Sequence, residues 1–221
     1  INRLTMDNIS FLIDFIIVFL GILFALFFDK MNQKRSHKKR INNIMDIVIK
    51  DLINDVESAE KVIENIEKNI LFQKVINGDI LNEKEKEQSM LLSCSYPLFQ
   101  ISTRGFNLLK DAKVDFDFKD SDLITEIINL YDTYLDIINS YSLFLRDNTT
   151  RNFRSFKKYP WAVEFYKYEI SDGYLKILES TEYKSNLSYH YTLIDTWKGV
   201  ISRFQKEIKD TLPKIEKSSF N

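Results

Sequence analysis

The chain is poor in the residues that most catalytic and cofactor motifs require. Its 221 residues include five glycines, three prolines, two histidines and one cysteine. The glycines (Gly21, Gly78, Gly105, Gly173, Gly199) stand too far apart for any two to share a loop. A P-loop, a dinucleotide fingerprint and a Gly-x-Ser-x-Gly elbow each need paired glycines for close backbone approach, so none can occur. Cys94 alone builds neither an internal disulfide nor a cysteine zinc site, and it suits a reducing compartment. His37 lies in a basic run, far in sequence from His190, which removes zincin helices and two-histidine centres. No metal and no cofactor is expected. Ser188 and Asp195 lie near His190, but no base–nucleophile spacing supports catalysis, and His190 is read as a packed or surface histidine. The chain is expected not to be an enzyme; an unrecognised helical active site is the weakest alternative.

A surplus of one charge is also missing, with 31 Lys+Arg against 32 Asp+Glu. The balance is local, however. Residues 1–40 hold seven of the basic and three of the acidic residues, which leaves 24 basic and 29 acidic in residues 41–221. An acidic body argues against nucleic acid as a partner.

Apolar residues are concentrated as well. Ile9 to Phe28 is a 20-residue stretch with one charge, Asp14, and it holds six of the 17 phenylalanines. At 1.5 Å per residue it is long enough to cross a bilayer as a helix. A cleaved signal peptide would show a basic start, a shorter apolar run and a small-x-small cleavage site. Here Arg3 is offset by Asp7 and the run ends Ala25-Leu-Phe-Phe-Asp29, so a retained anchor is expected. Lys30, Lys34, Arg35, Lys38, Lys39 and Arg40 follow it at once. The positive-inside rule then puts the C-terminal body in the cytoplasm and the short N-terminus outside. The same six charges suit contact with anionic headgroups.

Asp14 is the unusual residue of the span. An intramembrane carboxylate points to pore lining or helix pairing, while a span starting at Phe15 would leave it in the headgroups. Gly21 and Ala25 form a small-xxx-small pair, and Asp14 lies seven residues before Gly21, on nearly the same face. That coincidence favours self-association.

Beyond the anchor the pattern is helical. Ile41, Met45, Val48, Leu52, Val56, Ala59, Ile63, Ile66 and Ile70 recur at about 3.6 residues per step, the period of a straight helix. No Pro or Gly falls between residues 22 and 77, so the membrane helix is expected to run almost unbroken into this stalk, ended by Asn77-Gly78-Asp79. Further helices are expected over Glu83–Cys94, from Ser102 or Thr103 to about Lys113, from Leu123 to about Asp147, over Trp161–Ile170 and Tyr174–Glu179, and from a Thr181 cap to about Leu212, stopped by Pro213. No stretch shows convincing strand alternation. The expected fold is all-α: one N-terminal transmembrane helix running into a long stalk helix and an antiparallel helical bundle. Its expected divisions are an extracytoplasmic 1–8, the span 9–28, a basic juxtamembrane 29–40, a cytoplasmic helical domain 41–213 and a flexible tail 214–221.

Two constellations invite functional readings. Asp115, Asp117, Asp120 and Asp122 supply oxygen ligands of the kind calcium takes, but they lack the central Gly and closing Glu of an EF-hand and equally suit the start of a helix. Residues 146–161 interleave Arg146, Arg151, Arg154, Lys157 and Lys158 with Phe153, Phe156, Tyr159 and Trp161. Guanidinium and aromatic faces together can hold a small anionic ligand (phosphorylated or a nucleotide), an acidic protein partner, or the membrane interface; the same pattern also fits a helix end with a solvated basic face and aromatics in the core. Residues 141–204 contain 15 of the 30 aromatics, which marks this half as the partner or ligand surface.

The segment Asp14 to Arg35 resembles an uncharacterised bacterial family of single-pass, N-terminally membrane-anchored helical proteins. Its pattern is an acid, an apolar run with Gly-Ile-Leu-x-Ala-Leu, and an Asn-rich exit. Asp14 matches the acid, Gly21 to Leu26 the centre, and Asn32 and Arg35 the exit, whereas Met31 replaces a Trp and Asp29-Lys30 an Asn pair. Phe106 to Lys110 is similar to the family's Tyr-x-x-Leu-Lys, and Leu123, Ile127 and Tyr131 to its following helix. The resemblance implies an anchored helical body with no known activity. The leading expectation is therefore a non-enzymatic membrane protein whose cytoplasmic bundle mediates assembly, partner binding or sensing, with further copies of itself and a bilayer as partners. The alternative is an oligomeric membrane effector or pore, of a stress or phage-defence kind, gated at the aromatic–basic segment.

Overall fold

The computed structural model describes residues 2–89, 91–112, 121–167 and 172–218, with side chains described from Ile16 onward and, after the gap at 113–120, from Asp122. It is 87% helical and has no strand among the described residues. In chain order the helices are α1 (Asn2–Lys68), α2 (Leu71–Asn77), α3 (Glu83–Ser89), α4 (Arg104–Ala112), α5 (Ser121–Ser155), α6 (Ala162–Tyr166), α7 (Asp172–Leu178) and α8 (Thr181–Glu216), with 3-10 turns at Leu92–Cys94 and Phe156–Lys158.

The apolar span and the stalk are thus one 67-residue helix, as the lack of Pro and Gly predicts. Its stripe enters the core from Ile41 onward: Met45, Val48, Leu52, Ala59 and Ile66 are buried. Ile70 is the exception, because the helix stops at Lys68 and the chain turns through Asn69 and Ile70, leaving Ile70 exposed. Gly78 then closes α2 at φ +79°, a left-handed conformation that glycine adopts without strain.

Three long helices pack antiparallel in pairs. Gln205 of α8 donates to the carbonyl of Val56 (3.2 Å) and Lys198 lies 3.9 Å from Glu67, so α8 descends as α1 rises. Tyr134 donates to Glu207 (2.6 Å) and Thr211 to Glu126 (3.4 Å), which sets α5 against α8 in the same sense. The fourth column is split between two conformations. Ser95–Thr103 has no helix, and α4 completes the column toward the stalk end. Ser95 meets His190, and Phe99 sits on Phe204 with ring centroids 6.2 Å apart. Four residues advance about 6 Å in a helix and about 13 Å when extended, while the stretch of α8 between these contacts is about 21 Å long, so the extended chain comes much nearer and the side chains reach over the remainder. Phe99 and Ile101 point inward and Leu98 and Gln100 outward, the alternation of a strand without a sheet. Phe106, Tyr131, Tyr134, Phe99 and Phe204 close the core at mid-height around the Phe204 ring.

Several helix boundaries differ from the sequence expectation. α5 runs on to Ser155 because Leu145, Asn148 and Asn152 stay in the core. Asp172 and Gly173 open α7 instead of forming a turn, since Tyr174 and Leu178 pack inward from that helix. Ser180 caps α8, its side chain accepting from the Tyr183 amide at 3.2 Å, with Thr181 as the first helical residue. Pro213 does not stop α8. It sits in the last turn, where a missing N–H costs one hydrogen bond, and Ile215 beyond it is buried while Lys214 pairs with Glu126. The helical domain therefore extends past residue 213. The acidic tract from Asp115 to Asp120 lies outside the described residues.

Candidate functional site

The span is exposed on every side. From Ile16 to Phe28 the large apolar side chains are 44–62% accessible, and consecutive positions 100° apart on the helix are all included. A helix docked on the described part of the bundle would bury one stripe, and this segment buries none. It is the one helix, among the described residues, long and apolar enough to cross a membrane, with a mean hydropathy of 1.6 in its apolar window and none of that window buried. Gly21 and Ala25 share a face, and a Cβ placed on Gly21 would meet nothing within 4 Å. Asp14 belongs to α1, but its side chain lies outside the described ones. Lys30, Lys34, Arg35, Lys38, Lys39 and Arg40 all lie on the exposed stretch of α1 between span and bundle. That stretch, residues 29–40, holds the acidic bundle about 18 Å from the end of the span.

The aromatic–basic segment falls at the far end of the bundle and is divided by the fold. Phe156 and Trp161 are core residues, packed on Phe165, Tyr174 and Tyr183. Trp161, expected on a partner surface, is therefore buried: the turn after α5 folds it inward, and Tyr159, half-buried, stacks on it at 5.1 Å. Phe153 stays partly outside against Tyr166, whose hydroxyl donates to the Phe153 carbonyl at 3.0 Å. Arg146, Arg151, Arg154 and Lys157 are exposed; Arg146 lies 3.7 Å from Asp147, and Lys158 pairs with Glu182 at 2.8 Å. These exposed cations, with the partly exposed Phe153 and Tyr166, are what remains of the expected surface.

Sequence reasoning missed the buried polar groups that hold the extended column. Asp51 and Asp55, one turn apart on α1, face the start of α4. Asp51 accepts from the Gly105 amide at 2.6 Å, and Asp55 accepts from the Ser102 amide (2.9 Å) and hydroxyl (2.7 Å). Gly105 makes this possible, since a Cβ there would lie 2.8 Å from the Val48 Cα. The second oxygen of Asp55 and the nearby Tyr131 hydroxyl are buried without a hydrogen-bond partner among the described residues. Burial, opposed by the Ser102 bonds, pushes the Asp55 carboxyl up to about 6, and Asp51 adds to the rise.

Higher up, His190 is completely buried. Its Nε2 lies 2.9 Å from the Ser95 carbonyl, which can only accept, so Nε2 carries the proton and Nδ1 accepts from Asn148 at 2.9 Å. Burial holds this imidazole below its usual pKa, against the effect of the Ser95 bond. Asn152 donates to the Ser93 carbonyl (2.7 Å), and the Tyr183 hydroxyl to that of Ser89 (3.4 Å). These side chains replace the hydrogen bonds a fourth helix would have made with itself. Burial also pushes the Cys94 thiol up to about 11, which makes it unreactive. No cluster of three or more His, Cys, Asp or Glu is placed to hold a metal among the described residues.

The described surface also carries concavities, one of about 420 Å³ lined by Arg35, Lys38, Lys39, Asn42 and Asn43. An open groove of about 630 Å³ between α5 and α8 carries Asp122, Glu126, Glu207 and Asp210 against Lys214. A smaller cavity of about 250 Å³ lies at the far end of α1, beside Ser95. No protein-family model, curated protein or solved structure matches the chain. The resemblance of residues 14–35 to an anchored family accordingly rests on the residues quoted for it.

Proposed function

We propose that the chain is a non-enzymatic, single-pass protein of a bacterial inner membrane, with its N-terminus outside and its bundle in the cytoplasm, where it mediates assembly, partner binding or sensing. The observation that carries this reading is the continuity of α1: one helix is apolar on all faces over the span and then becomes a core helix of the bundle. Any tilt or rotation of the span reaches Asp51 and Asp55, and through them the start of α4, without crossing a joint. The basic stretch Lys30–Arg40 supports the orientation and contact with anionic headgroups. The open face at Gly21 and Ala25 supports pairing of anchors from further copies. Arg146, Arg151, Arg154 and Lys157, with Phe153 and Tyr166, are the surface for an acidic protein partner or small anionic ligand. The resemblance of the Asp14–Arg35 segment to the anchored family supports the same reading.

The test is the mass of the full chain in mild detergent beside that of Gly21→Ile combined with Ala25→Ile. A defined oligomer that the double substitution dissociates, with the helical spectrum unchanged, supports assembly through the anchor. A monomer in both cases removes self-assembly from the reading.

A further inference from the structure

The cavity at the far end of α1 has an unusual lining for this chain. Charged residues make up 29% of the sequence, yet none lines the cavity. Its floor is apolar, made of the buried Ile66, Phe72, Leu92 and Ile194. Its rim is polar and uncharged: Asn65 from the last turn of α1, Asn69 from the turn that follows it, Ser95 from the extended column, and Tyr191 from α8. The Phe72 and Tyr191 rings stand 5.3 Å apart at 36°, and Tyr96 is the third aromatic residue of the lining.

Asn65 stands in the last turn of α1 and Asn69 just past its end, and both line the cavity. Both are exposed, and neither carboxamide has a hydrogen-bond partner among the described residues. A carboxamide offers a donor and an acceptor side by side, the edge that pairs with the ring nitrogen and exocyclic amine of a heterocyclic base. Aromatic floors take such a base by its face. A volume of about 250 Å³ lies just below the range of pockets for drug-sized ligands, which suits one or two fused rings.

We propose that this cavity binds a nucleobase or nucleoside, seated by its face on the Phe72–Tyr191–Tyr96 side and read at its edge by Asn65 and Asn69. Other small-molecule classes fit less well. A phosphate would find no cation in the lining. A sugar carries hydroxyls on both faces, and those over the apolar floor would lose their water without replacement. A planar base has apolar faces and a polar edge, the same division as the cavity. Because the site joins the end of α1 to Ser95, whose carbonyl His190 holds, the bound base would bridge the membrane helix and the extended column. The inference goes beyond the assembly reading and stands without it.

The experiment is calorimetric titration of the full chain in lipid nanodiscs with adenosine, guanosine, cytidine and uridine in turn, each also as its 5′-monophosphate, with glucose as a control. Wild type should bind at least one nucleoside with a dissociation constant below about 1 mM. Asn65→Ala with Asn69→Ala, both outside the core, should weaken that binding about tenfold or more while leaving the helical spectrum unchanged. Tyr191→Leu, which keeps the wall apolar but removes a stacking face, should weaken it independently. The proposal is overturned if no nucleoside binds at millimolar concentration, or if binding survives both variants unchanged. It is also overturned if glucose competes, or if the monophosphate binds more than about tenfold better than the nucleoside, which would place the site among cations elsewhere.

Discussion

Replacing Asp55 by asparagine should stabilise the bundle at neutral pH and have little effect in acid. The Asp55 carboxylate is 1% exposed and has a bonded and an unbonded oxygen. An amide keeps the first interaction, since its oxygen still accepts from the Ser102 amide and hydroxyl, and it removes the buried charge. The carboxyl titrates at about 6 in the folded chain against 3.8 for an unperturbed side chain. The folded state therefore holds the proton more tightly. The contribution of the neutral acid is fully present below pH 3.8 and is lost as pH rises through about 6. That difference corresponds to at most about 3 kcal/mol above pH 7, shrinking below about 1 kcal/mol at pH 4. For a chain of this size the gain at neutral pH converts to roughly 6–12 °C at the upper limit. Trp161 and Trp197 are both buried, so tryptophan fluorescence reports the transition directly. Melting of wild type and Asp55→Asn at pH 4 and pH 7.5 should show two curves that nearly coincide in acid and separate at neutral pH. Equal destabilisation of the variant at both values would refute the reasoning and make Asp55 a net stabilising anion.

Gly105→Ala should cost about 1–3 kcal/mol in urea unfolding, because its Cβ would press on the backbone of Val48 and the helices cannot part without loosening the core. His190→Ala should cost about 2–4 kcal/mol by the same assay, since it opens a cavity and strands both the Ser95 carbonyl and the Asn148 amide. Charge reversal at Lys34, Arg35, Lys38 and Lys39 should lower or invert the fraction of chains with the bundle in the cytoplasm, read by a reporter fused at the C-terminus; an unchanged orientation would show that the basic stretch does not set it.

Much of the architecture is legible because it is periodic. The α1 stripe from Ile41 to Ile66 and the α8 stripe through Leu187, Ile194, Ile201, Phe204 and Ile208 repeat often enough to be read from spacing, and burial follows them. The extended column has no such repeat. Its alternation covers only Leu98 to Ile101, and no partner strand exists to lengthen the signal. The residues that hold it are illegible for a related reason. Asp55 and Ser102 are 47 positions apart, and His190 and Ser95 are 95 apart, distances over which sequence spacing carries no information. In isolation Asp55 reads as one more solvated acid on a charged helix. The far-end aromatics mislead in the opposite direction. Trp161 among basic residues suggests a surface, but Pro160 turns the chain so that the indole enters the core while the cations stay outside. The cavity of Asn65 and Asn69 is assembled from five separate elements, so no local motif could announce it.

The central claim is that one helix passes through lipid on all its faces and continues unbroken into the bundle. Spin labels placed singly from Ile16 to Phe28 in the full chain, reconstituted in lipid bilayers, test it most directly. Every position should be accessible to oxygen and shielded from a water-soluble relaxant, with depth changing smoothly along the helix. A 3.6-residue alternation between buried and water-exposed positions would contradict it and make this segment a helix docked on protein.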